Sequence, residues 1–191
     1  LGPALPSIKL SFWNTRGFMY SGSICALVTP FTDRDELDLQ ALDRLIEWHI
    51  EAGTHALVLG GSTGECVALE ESELVTLWER SVTCARGRIG LIAGTGAPST
   101  RRSARLTRLA LASGMQAALV VTPAYVRPTQ EGLYRHYAVV AEQGLPILLY
   151  NVSTRTACDL LPATVERLLD VRAVVGIKEA VTDPARIDAL V

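Results

Sequence analysis

Lysine is scarce in this chain. Of its 191 residues 18 are basic, and only Lys9 and Lys178 among these are lysines; the other 16 are arginines. Chemistry that needs a primary amine within the body of the fold therefore has one candidate, Lys178. Cysteine is sparse as well. Cys25, Cys66, Cys84 and Cys158 form no Cys-x-x-Cys pair, which argues against a zinc ribbon or a disulfide framework and for the reduced thiols of a cytoplasmic protein. His49, His55 and His136 lack metal-ligand spacing and read as structural or surface residues, against a metal-dependent site. No apolar run approaches the ~18 residues of a membrane helix. The net charge of -2, from 18 basic and 20 acidic side chains, leaves no electrostatic footprint for nucleic acid or an anionic membrane.

What is present is ordinary globular composition, 49% apolar and 20% charged, enough to build one core. Residues 1–18 lack the features of a secretory signal and read as an unstructured extension before a domain at 19–191. Within that domain, strand-like runs occur at Ile24 to Val28, Ala56 to Leu59, Ile89 to Ala93, Ala117 to Val121, Pro146 to Tyr150 and Val174 to Lys178. Their starts lie 28 to 33 residues apart, with helical periodicity between them, as in Leu39, Leu42, Leu45, Ile46 and Ile50. Each run is nearly continuous in apolar residues, the pattern of parallel strands buried on both faces. Repeated βα units fit either an open doubly wound sheet or a closed barrel. Polar and glycine residues gather at all six strand ends, which favours the barrel, because a doubly wound sheet concentrates its ligand at one switch point. A barrel of this kind has eight strands in about 250 residues. The expected fold is an incomplete α/β TIM (β/α)8 barrel with about six of its eight units.

Lys178 closes the sixth run, in Val174-Val175-Gly176-Ile177-Lys178-Glu179-Ala180. Burial at a strand end disfavours the ammonium form and lowers its pKa. A neutral amine there can form a Schiff base with a carbonyl; the same lysine can equally pair with Glu179 or another acid at the rim. Tyr150 ends the preceding run, and parallel strands ~5 Å apart bring it to the same rim. There it can exchange protons with an imine, or sit in the core with a satisfied hydroxyl. Gly60-Gly61-Ser62-Thr63-Gly64-Glu65 follows the second run and precedes a helix, so it is either a cradle for a carboxylate or phosphate or simply a tight turn. It lacks the ending of a Walker loop, and Gly94-Thr95-Gly96 lacks the third glycine and later acid of a dinucleotide site. Arg155, just beyond Tyr150, can fork onto a carboxylate or lie at the surface.

Gly60-Gly61-Ser62-Thr63-Gly64-Glu65, Thr122-Pro123-Ala124-Tyr125, Tyr150-Asn151-Val152 and Gly176-Ile177-Lys178-Glu179-Ala180 together resemble the motifs of one family. This is the dihydrodipicolinate synthase (4-hydroxy-tetrahydrodipicolinate synthase) family of the pyruvate-dependent, Schiff-base aldolases, a superfamily that also contains N-acetylneuraminate lyase. The four motifs fall in order at the ends of strands two, four, five and six. The resemblance implies a lyase that condenses pyruvate with L-aspartate 4-semialdehyde in lysine and diaminopimelate biosynthesis. Lys178 would form the imine and Tyr150 would pass protons over it. Ser62 and Tyr125 would complete a hydroxyl relay, Tyr125 reaching across a tight dimer into the neighbouring subunit. Thr63 and adjacent N–H groups would hold the pyruvate carboxylate, and Arg155 the carboxylate of the aldehyde. No cofactor or metal is implied, because the imine is the electron sink. The complete protein is expected to be a homo-oligomer, a dimer of dimers.

Arg155 within Ser153-Thr154-Arg155-Thr156 favours the synthase over the sialic acid lyase branch. Several positions depart from the family pattern. Ser62 replaces the usual Thr, Ser153 a Pro and Ala157 a Gly, and Ala124 replaces the first of two tyrosines. Pro98 and Arg102 stand where lysine-inhibited members carry Asn and Glu, which argues against feedback by lysine. Two alternatives remain on this reading: a lyase of a sialic or sugar acid, and an inactive truncated fragment.

Overall fold

Apolar runs of four or five residues, too short for core helices, pair sideways when helices return the chain to the same sheet edge. All six runs do so in the computed structural model, which describes residues 21–181 and 183–190. The strands are β1 (Ile24–Ala26), β2 (Ala56–Leu59), β3 (Gly90–Gly94), β4 (Ala117–Val121), β5 (Ile147–Asn151) and β6 (Val174–Glu179). They form one parallel sheet in sequence order. The intervening helices are α1 (Leu39–Glu51), α2 (Glu71–Ala85), α3 (Thr100–Ala112), α4 (Gln130–Ala141), α5 (Ser153–Thr156) and α6 (Pro162–Leu168), with α7 (Pro184–Asp188) after β6. The result is an incomplete (β/α)8 barrel of six units. The expected extension at 1–18, and Lys9 with it, lies outside the described residues.

The helices begin where local chemistry satisfies their free N–H groups. The Asp38 carboxylate accepts from the Ala41 N–H at 2.8 Å, and the Thr129 hydroxyl from the Gly132 N–H at 3.1 Å. Pro162 and Pro184 occupy first-turn positions, where a missing N–H costs nothing.

Strand alternation divides the core into two layers. Leu57, Leu59, Val120, Ile147 and Leu149 face the helices and pack with Trp78, Leu133 and Tyr137. The polar ends of the two large aromatics are satisfied there. Trp78 donates to the Leu59 carbonyl at 3.3 Å and Tyr137 to the Val120 carbonyl at 3.2 Å, fixing α2 and α4 to the ends of their strands. On the other face, Ala56, Val58, Ile92, Ala117, Leu119, Tyr150 and Val152 form a separate, thinner inner layer.

The expectation that every strand is buried on both faces holds for β2, β3 and most of β4 and β5, but not for the outer two. β1 is exposed or half-buried throughout, and β6 is fully buried only at Val174. Each has a single neighbour in the sheet, so among the described residues nothing covers its far edge or completes the inner layer beside it.

Candidate active site

The inner face converges on the C-terminal ends of the strands. Tyr150 and Lys178 are direct register partners across β5 and β6, and alternation puts both side chains on the inner face. Tyr150 is 7% exposed and belongs to the inner layer. The Lys178 ammonium lies over its ring, Nζ 4.3 Å from the centroid, a cation–π contact. The expected convergence is therefore present. The expected burial of Lys178 is not, because its side chain is exposed beside the open edge of β6. The alternative partnership with Glu179 is also absent: neighbours on a strand point to opposite faces, and the Glu179 carboxylate bonds Asn151, Arg186 and the Val181 N–H instead.

The glycine-rich loop folds over the same face. It precedes a helix, as expected, but α2 starts only at Glu71, after a series of turns, so the N-terminus of α2 does not address the loop. The turns consume some of its donors: the Glu65 N–H bonds the Ser62 carbonyl and the Cys66 N–H that of Gly61, each at 3.3 Å. Ser62 is half-buried and lies with Gly60, Cys66, Gly94, Leu119 and Tyr150 around a narrow cleft of about 10 Å³. Thr63, one residue on, is exposed. Burial in this cleft raises the Cys66 thiol above its ordinary pKa. The Gly94-Thr95-Gly96 segment has a packing explanation. A Cβ on Gly94 would run into the Gly60 carbonyl group, so glycine at 94 lets the loops after β2 and β3 touch.

Tyr125 and Arg155 stand apart from this group. Tyr125 is 92% exposed with a left-handed backbone, φ 72°, and within this chain does not meet Ser62 or Tyr150. Its N–H donates to the Thr156 carbonyl at 3.2 Å, which ties its loop to α5. Arg155 lies on that short helix, exposed and without an ion-pair partner among the described residues. Ala157 ends α5 in the left-handed conformation, φ 53°, where a Cβ is unfavourable. The histidines fill structural places, His49 beside Thr54 and His136 beside Thr100, each at 2.9 Å, while His55 accepts from the Ser23 N–H.

Comparison with known proteins matches this arrangement to one group. Residues 19–191 fit the model of the Dihydrodipicolinate synthetase family. The chain belongs to that family. It is 53% identical over 169 residues to the 4-hydroxy-tetrahydrodipicolinate synthase of Nitrosococcus oceani, and 54% over 163 residues to that of Methylococcus capsulatus. These alignments take in 88% and 85% of this chain but only 58% and 56% of the relatives, so the chain spans little more than half their length. The dihydrodipicolinate synthase of Acinetobacter baumannii, solved in complex with pyruvate, superposes with a TM-score of 0.86 at 47% identity, covering 88% of this chain and 60% of that one. The Aquifex aeolicus synthase gives a TM-score of 0.87 at 40% identity, covering 90% and 59%.

Within this synthetase-family chain, two threonines to which the sequence assigned no role support the site. Thr29, buried after β1, donates to the Gly64 carbonyl at 2.7 Å and anchors the glycine-rich loop. Thr122 donates to the Thr156 hydroxyl at 3.0 Å and joins the end of β4 to α5. Both follow a strand-like apolar run, ending at Val28 and Val121, and precede proline.

Proposed function

We propose that the complete protein condenses pyruvate with L-aspartate 4-semialdehyde through a Schiff base on Lys178, giving 4-hydroxy-tetrahydrodipicolinate. The observation that carries this reading is the register pairing of Lys178 with Tyr150 and the 4.3 Å approach of amine to ring. The amine adds to the pyruvate ketone and water departs as the imine forms. Loss of a methyl proton then gives an enamine, whose carbon attacks the aldehyde, and the amino group of the former semialdehyde displaces Lys178 at the imine carbon, closing the ring and returning the free lysine. Tyr150, with its ring against the amine, is placed to pass protons during imine formation and breakdown. Ser62 is the nearby hydroxyl that supports it, from the same cleft. Thr63 and the turn around it take the pyruvate carboxylate, and the free guanidinium of Arg155 the carboxylate of the aldehyde. The exposure of Tyr125 suits a role in a second copy of the chain, as part of a homo-oligomer.

Reduction with borohydride in the presence of pyruvate tests the reading on the full-length protein. The expected result is a stable, pyruvate-dependent adduct on Lys178, located by peptide mass. An adduct on Lys9, or none, would refute it.

A further inference from the structure

An extended polar network lies behind the candidate site rather than in it. Asn151 and Glu179 follow Tyr150 and Lys178 directly and are themselves register partners. Strand alternation therefore turns them to the opposite face. The Asn151 amide donates to both Glu179 oxygens at 3.1 Å and to the Asp159 carboxylate at 2.8 Å. Its oxygen accepts from the Leu160 N–H at 3.0 Å. Arg186, from α7, closes the network. Its Nε meets Glu179 at 3.1 Å, its two terminal nitrogens fork onto Asp159 at 3.0 and 3.2 Å, and one of them also reaches the Leu160 carbonyl.

One guanidinium thus serves two carboxylates, and it does so in a largely closed space: the Arg186 side chain is 11% exposed and that of Glu179 5%. A carboxylate this hidden needs its counter-charge. The two halves of the network differ in what else holds them. Glu179 sits in the β5–β6 ladder, so the strand carrying Lys178 is placed by backbone pairing whatever Arg186 does. Asp159 and Leu160 belong to the irregular segment between α5 and α6, which leaves α5 through the strained Ala157. Tethers to Arg186 and Asn151 fix that segment to β5 and β6, and Arg155 lies four residues before Asp159 on the same stretch.

We infer that Arg186 is a positioning residue for the second substrate: by clamping the Asp159–Leu160 segment it sets where Arg155 stands relative to Lys178 and Tyr150, and so governs affinity for the carboxylate-bearing aldehyde. The inference rests on the proposed Schiff-base reaction and adds a residue on the outer face that touches neither substrate. Small misplacements of a binding guanidinium are costly because bidentate carboxylate recognition is geometrically strict.

The test uses the full-length protein and two substitutions, Arg186→Lys, which keeps the charge over Glu179 but loses the fork, and Asp159→Asn, which removes the forked carboxylate at a partly exposed position. In both, KM for the aldehyde should rise about tenfold or more. KM for pyruvate and the rate of borohydride trapping on Lys178 should stay within about twofold. Placed in an Arg155→Ala background, the same substitutions should add little, since the group they position is gone. A role confined to folding would instead lower the melting temperature without this selective change in KM. Unlabelled wild-type protein would remove the Schiff-base reading and this inference with it. Labelled wild type with an unchanged aldehyde KM in both variants, or full additivity with Arg155→Ala, would overturn the inference alone.

Discussion

Two residues show how environment outweighs residue type. His136 is buried in α4 against Thr100, with its Nε2 unpartnered among the described residues. Desolvation pushes its pKa down from 6.5 to about 4. A depressed value means that the unfolded chain binds the proton more readily than the folded one between those limits. Stability from this group is complete above pH 6.5 and is lost as pH falls towards 4. Denaturant titrations at pH 7 and pH 5 should show wild type losing about 2 kcal/mol more than His136→Gln; equal losses would contradict the assignment. Lys178 is the opposite case. Its type and place suggested a buried amine, whereas exposure at the edge of β6 leaves its proximity to Tyr150 as the feature that supports an imine role.

Among the elements, the strands and long helices follow from local pattern, because period and capping are read over a few residues. The strand limits differ from the expected ones by at most two residues, and α1 covers the periodic run from Leu39 to Ile50. Elements that depend on distant partners were not legible. α5 is only four residues long, closed by the left-handed Ala157 and held by bonds to the loop after β4. The delay of α2 until Glu71 was equally hidden, since the turns before it are held from afar by Thr29. The end of α5 carries a prediction of its own. Ala157 is left-handed where glycine would be unstrained, so Ala157→Gly should stabilise the protein by about 0.5–1 kcal/mol despite the added freedom of the unfolded chain. A shift of the denaturation midpoint to lower denaturant would count against this account.

For the molecule as a whole, the open sheet is the governing feature. Among the described residues β1 and β6 each present an unpaired edge, and exposed parallel edges promote association. The 191-residue chain alone should show light scattering that grows with concentration and little pyruvate-dependent labelling of Lys178; a monodisperse, efficiently labelled monomer would refute this. The sequence by itself determined the βα repeat, the parallel order, the family and the rim on which Tyr150 and Lys178 meet, because each follows from short-range periodicity and motif order. Only the tertiary structure decided which site residues meet and which stay apart, that Lys178 is exposed, and that Arg186 ties Asp159 to Glu179 across separate elements. Burial and charge pairing depend on what packs beside a residue in space, and for a lysine on an edge strand or an arginine on a distant helix no local pattern carries that information.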